Sequence, residues 1–222
     1  MRELPILFTG PMVRAILAGN KLQTRRMKAL EYFSRPENDP DGWWCARISD
    51  GYAYMVYKQS PHERAVRCPY GQPGDRLWVR ETWAFGIHAM AARRDDEGPF
   101  VYAADGTTQG RLGDRWRPSI HMPRHASRLM LEITGVRVER LNDISEADAR
   151  AEGCPFTWDG KQYEPPPPEV DSWQGYGRAS FSLLWSQING PDSWTTNPWV
   201  WVVEFEQVPH PKQHNDGGAV YE

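Results

Sequence analysis

The chain has only three cysteines in 222 residues, Cys45, Cys68 and Cys154, and no C-x-x-C pair. That number and spacing exclude a disulfide framework and a Cys-based zinc site. No stretch approaches the ~20 apolar residues that span a bilayer, and mean hydropathy is -0.69, so no membrane role is expected. The opening residues, MRELPILFTGPM, lack the long apolar core of a signal peptide. A cytoplasmic, reducing compartment is the expectation. There is no P-loop, no G-x-G-x-x-G and no G-x-S-x-G. Excess positive charge is also missing: 26 Lys and Arg face 29 Asp and Glu, a net charge of -3. A non-specific grip on long nucleic acid over the whole surface is therefore disfavoured, while a local basic pocket stays open. His121 and His125 are four apart, but Pro123 lies between them and no third ligand stands at a recognisable spacing. Neither a metal nor another cofactor is expected.

What the chain does have is turn formers and indoles. The 19 glycines and 19 prolines predict long irregular stretches, and the 11 tryptophans can serve either a core or base stacking. Leu4 to Phe8 reads as a short strand. Thr9, Gly10 and Pro11 then open a helix carrying Met12, Val13, Ile16 and Leu17 at helical spacing, with Gly19 as its stop. Residues 31 to 69 read as irregular, with a hairpin around Trp43 to Tyr57. GQPGDRLWVRETW is a turn followed by a strand with Leu77 and Val79 on one face. Residues 86 to 120 read as loop. Leu129, Leu131 and Ile133 alternate with polar residues as a half-buried strand, extended past Gly135 by Val136 and Val138. Ser145 opens a helix, SEADARAEG, ending at Gly153. Four consecutive prolines, 165 to 168, mark an excursion. RASFSLLWSQIN is helical, WVWVVEFEQV is the strongest strand, and the tail from Pro209 is polar.

Three segments could carry chemistry. In GNKLQTRR, Lys21, Thr24, Arg25 and Arg26 follow the first helix. Read blandly, this is a solvated basic turn. Read functionally, a Lys among arginines is pushed toward its neutral form and can act as a base toward Thr24, three residues on and close enough to meet in a turn. In the acidic helix, Glu152 sits in the last turn, where the macrodipole disfavours a carboxylate. From Arg111 to Arg128, five arginines (111, 115, 117, 124, 128) face Asp114 alone, with Trp116 and His121 among them. Arginine with aromatics suits a single-stranded nucleic-acid groove, and it equally suits a loop salt-bridged to an acidic surface.

GNKLQTRR resembles the G-x-K-x-x-T/E-x-R signature of the ASCH family, a branch of the PUA-like superfamily. Gly19, Lys21, Thr24 and Arg26 fall on its four positions. GDRLWVRE (74–81), DISEADARAEG (143–153) and WVWVVEF (199–205) resemble the family's Gly-Asp strand, acidic helix and closing strand. Together these blocks cover under half of the chain, which as a whole looks like ASCH-type proteins of bacteriophages and prophages. The resemblance implies an α+β fold: a small, partly open PUA-like β-barrel flanked by helices. It implies one domain over 1–208, insertions near 28–69, 83–126 and 154–177, and a polar tail over 209–222.

The same resemblance implies an RNA or nucleoside pocket. One bacterial branch of the family removes the acetyl group from N4-acetylcytidine with a Lys, a Thr and a Glu. Those positions correspond to Lys21, Thr24 and Glu152 here, and Thr rather than Glu at position 24 matches that branch. The expectation is a metal-independent amidohydrolase acting on an N4-acylated cytosine nucleoside or base. Gly19, Arg25, Arg26, Trp78, Glu81 and Arg117 form the expected substrate-binding set. The alternative is a non-catalytic RNA-binding module, or a ribonuclease of the same fold, using the arginines of 111–128. Either protein would be a monomer or weak dimer in the cytoplasm, the host's if phage-encoded. A pocket charge is expected to contribute little to the core, so Glu152→Gln should stay folded.

Overall fold

The computed structural model describes residues 1–58, 60–86, 100–106, 115–154, 156–158, 161–163 and 176–210. Its class is α+β, as the sequence predicts. The chain divides into two compact units: Met1–Arg14, Gly74–Glu132 and Glu206–Glu222 form one, and Ala15–Pro73 and Ile133–Phe205 form the other.

In the first unit, β1 (Glu3–Leu7) pairs in parallel with β6 (Arg76–Arg80), Ile6 opposite Val79. The first residues of β9 (Met130–Arg140) add to β6 in antiparallel register, Leu77 opposite Leu131. Ile6, Leu77, Val79 and Leu131 are all buried. This matches the strand alternation in which every second residue enters the core. A second ladder joins β7 (Trp83–Phe85) to β8 (Phe100–Tyr102). Its Trp83 packs with Met122 and Ala126 in a small core of its own.

In the second unit, β12 (Trp199–Val208) lies between β9 and β2 (Gln23–Arg26). β2 is antiparallel to β12, Thr24 opposite Val203 and Arg25 opposite Val202. Val200 and Val202 pack against α3 (Glu146–Ala151) and α4 (Tyr176–Asn189) through Ile144, Ala149, Phe181 and Trp185. A separate antiparallel sheet, β3 (Trp43–Ser49), β4 (Tyr52–Tyr57) and β5 (Glu63–Arg67), follows the short helix α2 (Glu31–Ser34).

Among the described residues no sheet closes on itself, in keeping with a barrel that is partly open. Several expectations are corrected. Residues 31–69 are not irregular around one hairpin, because β5 completes a three-stranded sheet. Its alternation is hidden by Arg and Glu on exposed positions. GNKLQTRR is no solvated turn, since its last four residues are strand β2 and Lys21, Gln23, Thr24 and Arg25 are buried. The segment 83–126 holds β7, β8 and short 3-10 turns. The excursion 154–177 includes a two-stranded ladder, β10 (Phe156–Trp158) with β11 (Lys161–Tyr163), and its four prolines lie outside the described residues. The polar tail starts packed against the fold, because His210 is buried beside Arg124. Residues 211–222 lie outside the description.

Candidate active site

Local sequence explains how Lys21 and Glu152 are aimed. Helix α1 (Gly10–Leu17) ends at Gly19, whose φ of 72° is the left-handed conformation that lets a helix stop. The Ala15 carbonyl then accepts N–H groups from both Asn20 and Lys21. At the other segment, Ser145 caps α3 with a capping box closed by Asp148. Glu152 caps the helix C-terminus, and Gly153 turns the chain away with φ 72°. An antiparallel bridge then sets the backbone of Lys21 opposite Glu152.

The side chains complete what the backbone begins. Lys21 Nζ donates to Glu152 Oε2 at 2.7 Å and to the Glu152 carbonyl at 2.8 Å. Both side chains are almost wholly out of water, at 1% and 4% exposure. A cation on the last carbonyl of α3 offsets the unfavourable placement of a carboxylate there. Arg25 Nη1 donates to the other carboxylate oxygen of Glu152 at 3.1 Å. The rest of its guanidinium goes to Glu139, at 3.0 and 2.5 Å, and approaches Asp148 at 3.5 Å. Arg137 donates to Glu139, Asp148 and Glu204. Gln23 donates to the side chain and carbonyl of Asp148.

Burial dominates the titration of this cluster. It holds the Lys21 ammonium below its ordinary pKa of 10.5, against the opposing pull of Glu152. Burial likewise lowers Arg26 and pushes the neighbouring Cys154 thiol up to about 12. The lysine whose charge burial makes costly is hydrogen-bonded to a carboxylate at 2.7 Å.

The expected residues distribute unevenly. Lys21 and Glu152 are brought into direct contact. Arg25 stands beside them, but its guanidinium is spent on three protein carboxylates rather than turned to a substrate. Thr24 is buried, and strand alternation sets Thr24 and Arg26 on the face of β2 opposite Gln23 and Arg25. Lys21 and Thr24 therefore do not meet in a turn, because the chain between them becomes extended. Gly19 shapes the approach to Lys21 through its backbone alone. Trp78, Glu81 and Arg117 belong to the first unit. There Glu81 is buried and gripped by Arg128 at 2.9 and 3.1 Å, and Arg128 also grips Asp105. Trp78 lies by Arg80 and Arg124, and Arg117 stands over Trp83 and Phe85. The carboxylates Glu139 and Asp148, which complete the cluster, were missed. The only signal for them was Arg137 and Glu139 alternating on a strand. Among the described residues no group of His, Cys, Asp and Glu is arranged to hold a metal.

Gly153 is the tightest point of the site. A Cβ there would lie 2.8 Å from Cβ of both Ala15 and Lys21, in a backbone conformation that L side chains rarely adopt. Gly153→Ala is expected to cost about 1–3 kcal/mol from the conformation alone and to push Lys21 off Glu152. Urea denaturation beside wild type measures it, and an unchanged midpoint would contradict this packing.

No protein-family model matches the chain, and no curated protein matches it. Two solved structures are similar to it, each with a TM-score of 0.38 over 94% of this chain and 81% of the other. One is a protein of Enterococcus faecalis V583 described under DUF984, 10% identical. The second is an ASCH domain from Lactobacillus crispatus JV V101, 13% identical. Similarity of this size decides neither family nor activity.

Proposed function

We propose that the chain is an ASCH-type, PUA-like amidohydrolase that removes the acyl group from N4-acylated cytosine nucleosides or bases. The observation that carries this reading is the buried Lys21–Glu152 pair, 2.7 Å apart and set opposite one another by a backbone bridge. Amide hydrolysis needs a base for the attacking oxygen and an acid for the leaving nitrogen, close together and with opposed protonation. Proton transfer within the pair supplies both, as Lys21 amine and Glu152 acid. The attacking oxygen belongs to Thr24 or to a water it holds, and its proton passes to Lys21. The acyl carbon–nitrogen bond breaks as Glu152 protonates the exocyclic amine. Water supplies the hydroxyl of the released acid and the hydrogen of the amine. In this reading Arg26, on the Thr24 face of β2, is the cation that meets the oxyanion.

The alternative, an RNA-binding module built on Arg111 to Arg128, draws less support. Arg111 lies outside the described residues. Arg124 pairs with Glu3, and Arg128 is shared between Glu81 and Asp105. Incubation with N4-acetylcytidine is expected to yield cytidine and acetate in equal amounts. No conversion by concentrated, folded protein would end the amidohydrolase reading.

A further inference from the structure

The chemistry proposed above gives Arg25 no task, yet its side chain is wholly out of water. Replacing a buried ion pair by apolar side chains is often neutral or stabilising, so stability alone does not account for a cation at this strand position. Its guanidinium divides between two carboxylates. Nε and Nη2 both donate to Oε1 of Glu139, at 3.0 and 2.5 Å, while Nη1 donates to Oε1 of Glu152 at 3.1 Å. Asp148 stands 3.5 Å from Nη2, and the ring centre of Phe181 lies 5.7 Å from the guanidinium carbon. Glu139 is held in turn by Arg137, whose other nitrogens reach Asp148 and Glu204. Charges thus alternate in sign from Arg137 through Glu139, Arg25 and Glu152 to Lys21. Arg26 and Cys154 also lie within electrostatic reach of Glu152. The two oxygens of Glu152 are divided: Oε1 receives Arg25 and Oε2 receives Lys21.

We propose that Arg25, clamped by Glu139, is a positioning residue that fixes which oxygen of Glu152 carries the acid proton. Its consequence in catalysis rests on the reading of Lys21 and Glu152 as base and acid. A guanidinium is never deprotonated in a protein, so Oε1 faces a permanent donor and stays an acceptor. The proton is left to Oε2, beside Lys21. As the leaving nitrogen takes it, the Oε2–H bond breaks, its electron pair stays on the carboxylate, and the pair of the broken carbon–nitrogen bond forms the new N–H bond. The Lys21 ammonium then returns a proton to Oε2. Glu139 limits the pull of Arg25, because its negative charge offsets a cation that would otherwise hold Glu152 as carboxylate. Only the fork of an arginine spans both carboxylates, since an ammonium is a point charge.

Arg25→Lys keeps the charge and loses the fork. It should lower kcat for N4-acetylcytidine by up to about a hundredfold, the cost of a misplaced catalytic group. KM should stay unchanged, because the guanidinium is spent on protein carboxylates. Glu139→Gln keeps an acceptor for Arg25 but removes the offsetting charge. It should move both limbs of the pH–rate profile to lower pH, since loss of a nearby anion favours the deprotonated forms. A second arm needs no substrate. Infrared spectra of the full chain carrying isotope-labelled glutamate, with Glu152→Gln as the blank, follow the Glu152 carboxyl through pH. Its midpoint should fall in Glu139→Gln and rise in Arg25→Met. In Arg25→Met every carboxylate keeps another partner: Arg137 for Glu139, Gln23 for Asp148 and Lys21 for Glu152. It should therefore fold, which a thermal melt checks. A wild type that leaves N4-acetylcytidine intact ends the hydrolase reading; a shifted carboxyl midpoint would still leave Arg25 and Glu139 in control of Glu152. Near-normal kcat in Arg25→Lys, or an unmoved midpoint in both infrared variants, would overturn the assignment.

Discussion

Lys21→Arg is expected to lower kcat/KM for N4-acetylcytidine by at least about a hundredfold, nearly as far as Lys21→Ala. Arginine keeps the charge but is never deprotonated in a protein, so it cannot accept the proton of the attacking oxygen. The structure sharpens this expectation. Lys21 gives its hydrogen bonds to Glu152, and burial already lowers its pKa. A guanidinium in the same 2%-exposed position would lock the pair in its ionic form. Lys21→Met controls for size. It removes the charge while Glu152 keeps Arg25, so it should fold and be equally inactive. Thermal melts of both variants separate a lost base from a lost fold. Near-normal turnover in Lys21→Arg would overturn Lys21 as the base and make Glu152 the proton acceptor.

Glu152→Gln is expected to lose activity by about a hundredfold or more, because an amide cannot protonate the leaving amine. It is also expected to lose about 3–5 kcal/mol of stability, the usual cost of removing one partner from a buried ion pair. Here the structure corrects the sequence. A pocket charge looked dispensable to the core, yet Glu152 is 4% exposed and holds two buried cations. Without it, Lys21 keeps the carbonyl of residue 152 but loses its carboxylate partner, and Arg25 keeps Glu139 and Asp148. The double variant Lys21→Met/Glu152→Gln should regain part of the loss, since both ends of the pair are then neutral. Urea denaturation of the three proteins gives the coupling. A change below about 1 kcal/mol in Glu152→Gln, the range of a surface pair, would mean that water reaches the site.

Apolar periodicity was enough to place most elements. Leu77 and Val79 alternate on a strand, Phe181 and Trp185 recur on a helix, and WVWVVEF is a strand buried along most of its length. Glycine did the same for the ends of α1 and α3, because Gly19 and Gly153 take a positive φ that other residues avoid. Lys21 and Glu152 were legible because each breaks a local rule: a lysine among like charges, and a carboxylate at a helix C-terminus. Polar periodicity carries no such information. β2 and β5 read as turn or loop because charged side chains occupy their strand positions, and only packing shows that QTRR is buried while ERAVR is largely exposed. Whether a given arginine is free or spent is likewise invisible in sequence. Arg25 and Arg128 are held by carboxylates up to 127 residues away. Composition could bound the function by charge and by what it lacks. Only the tertiary fold decided which charges meet, because ion pairing depends on distance and burial and neither is a property of spacing along the chain.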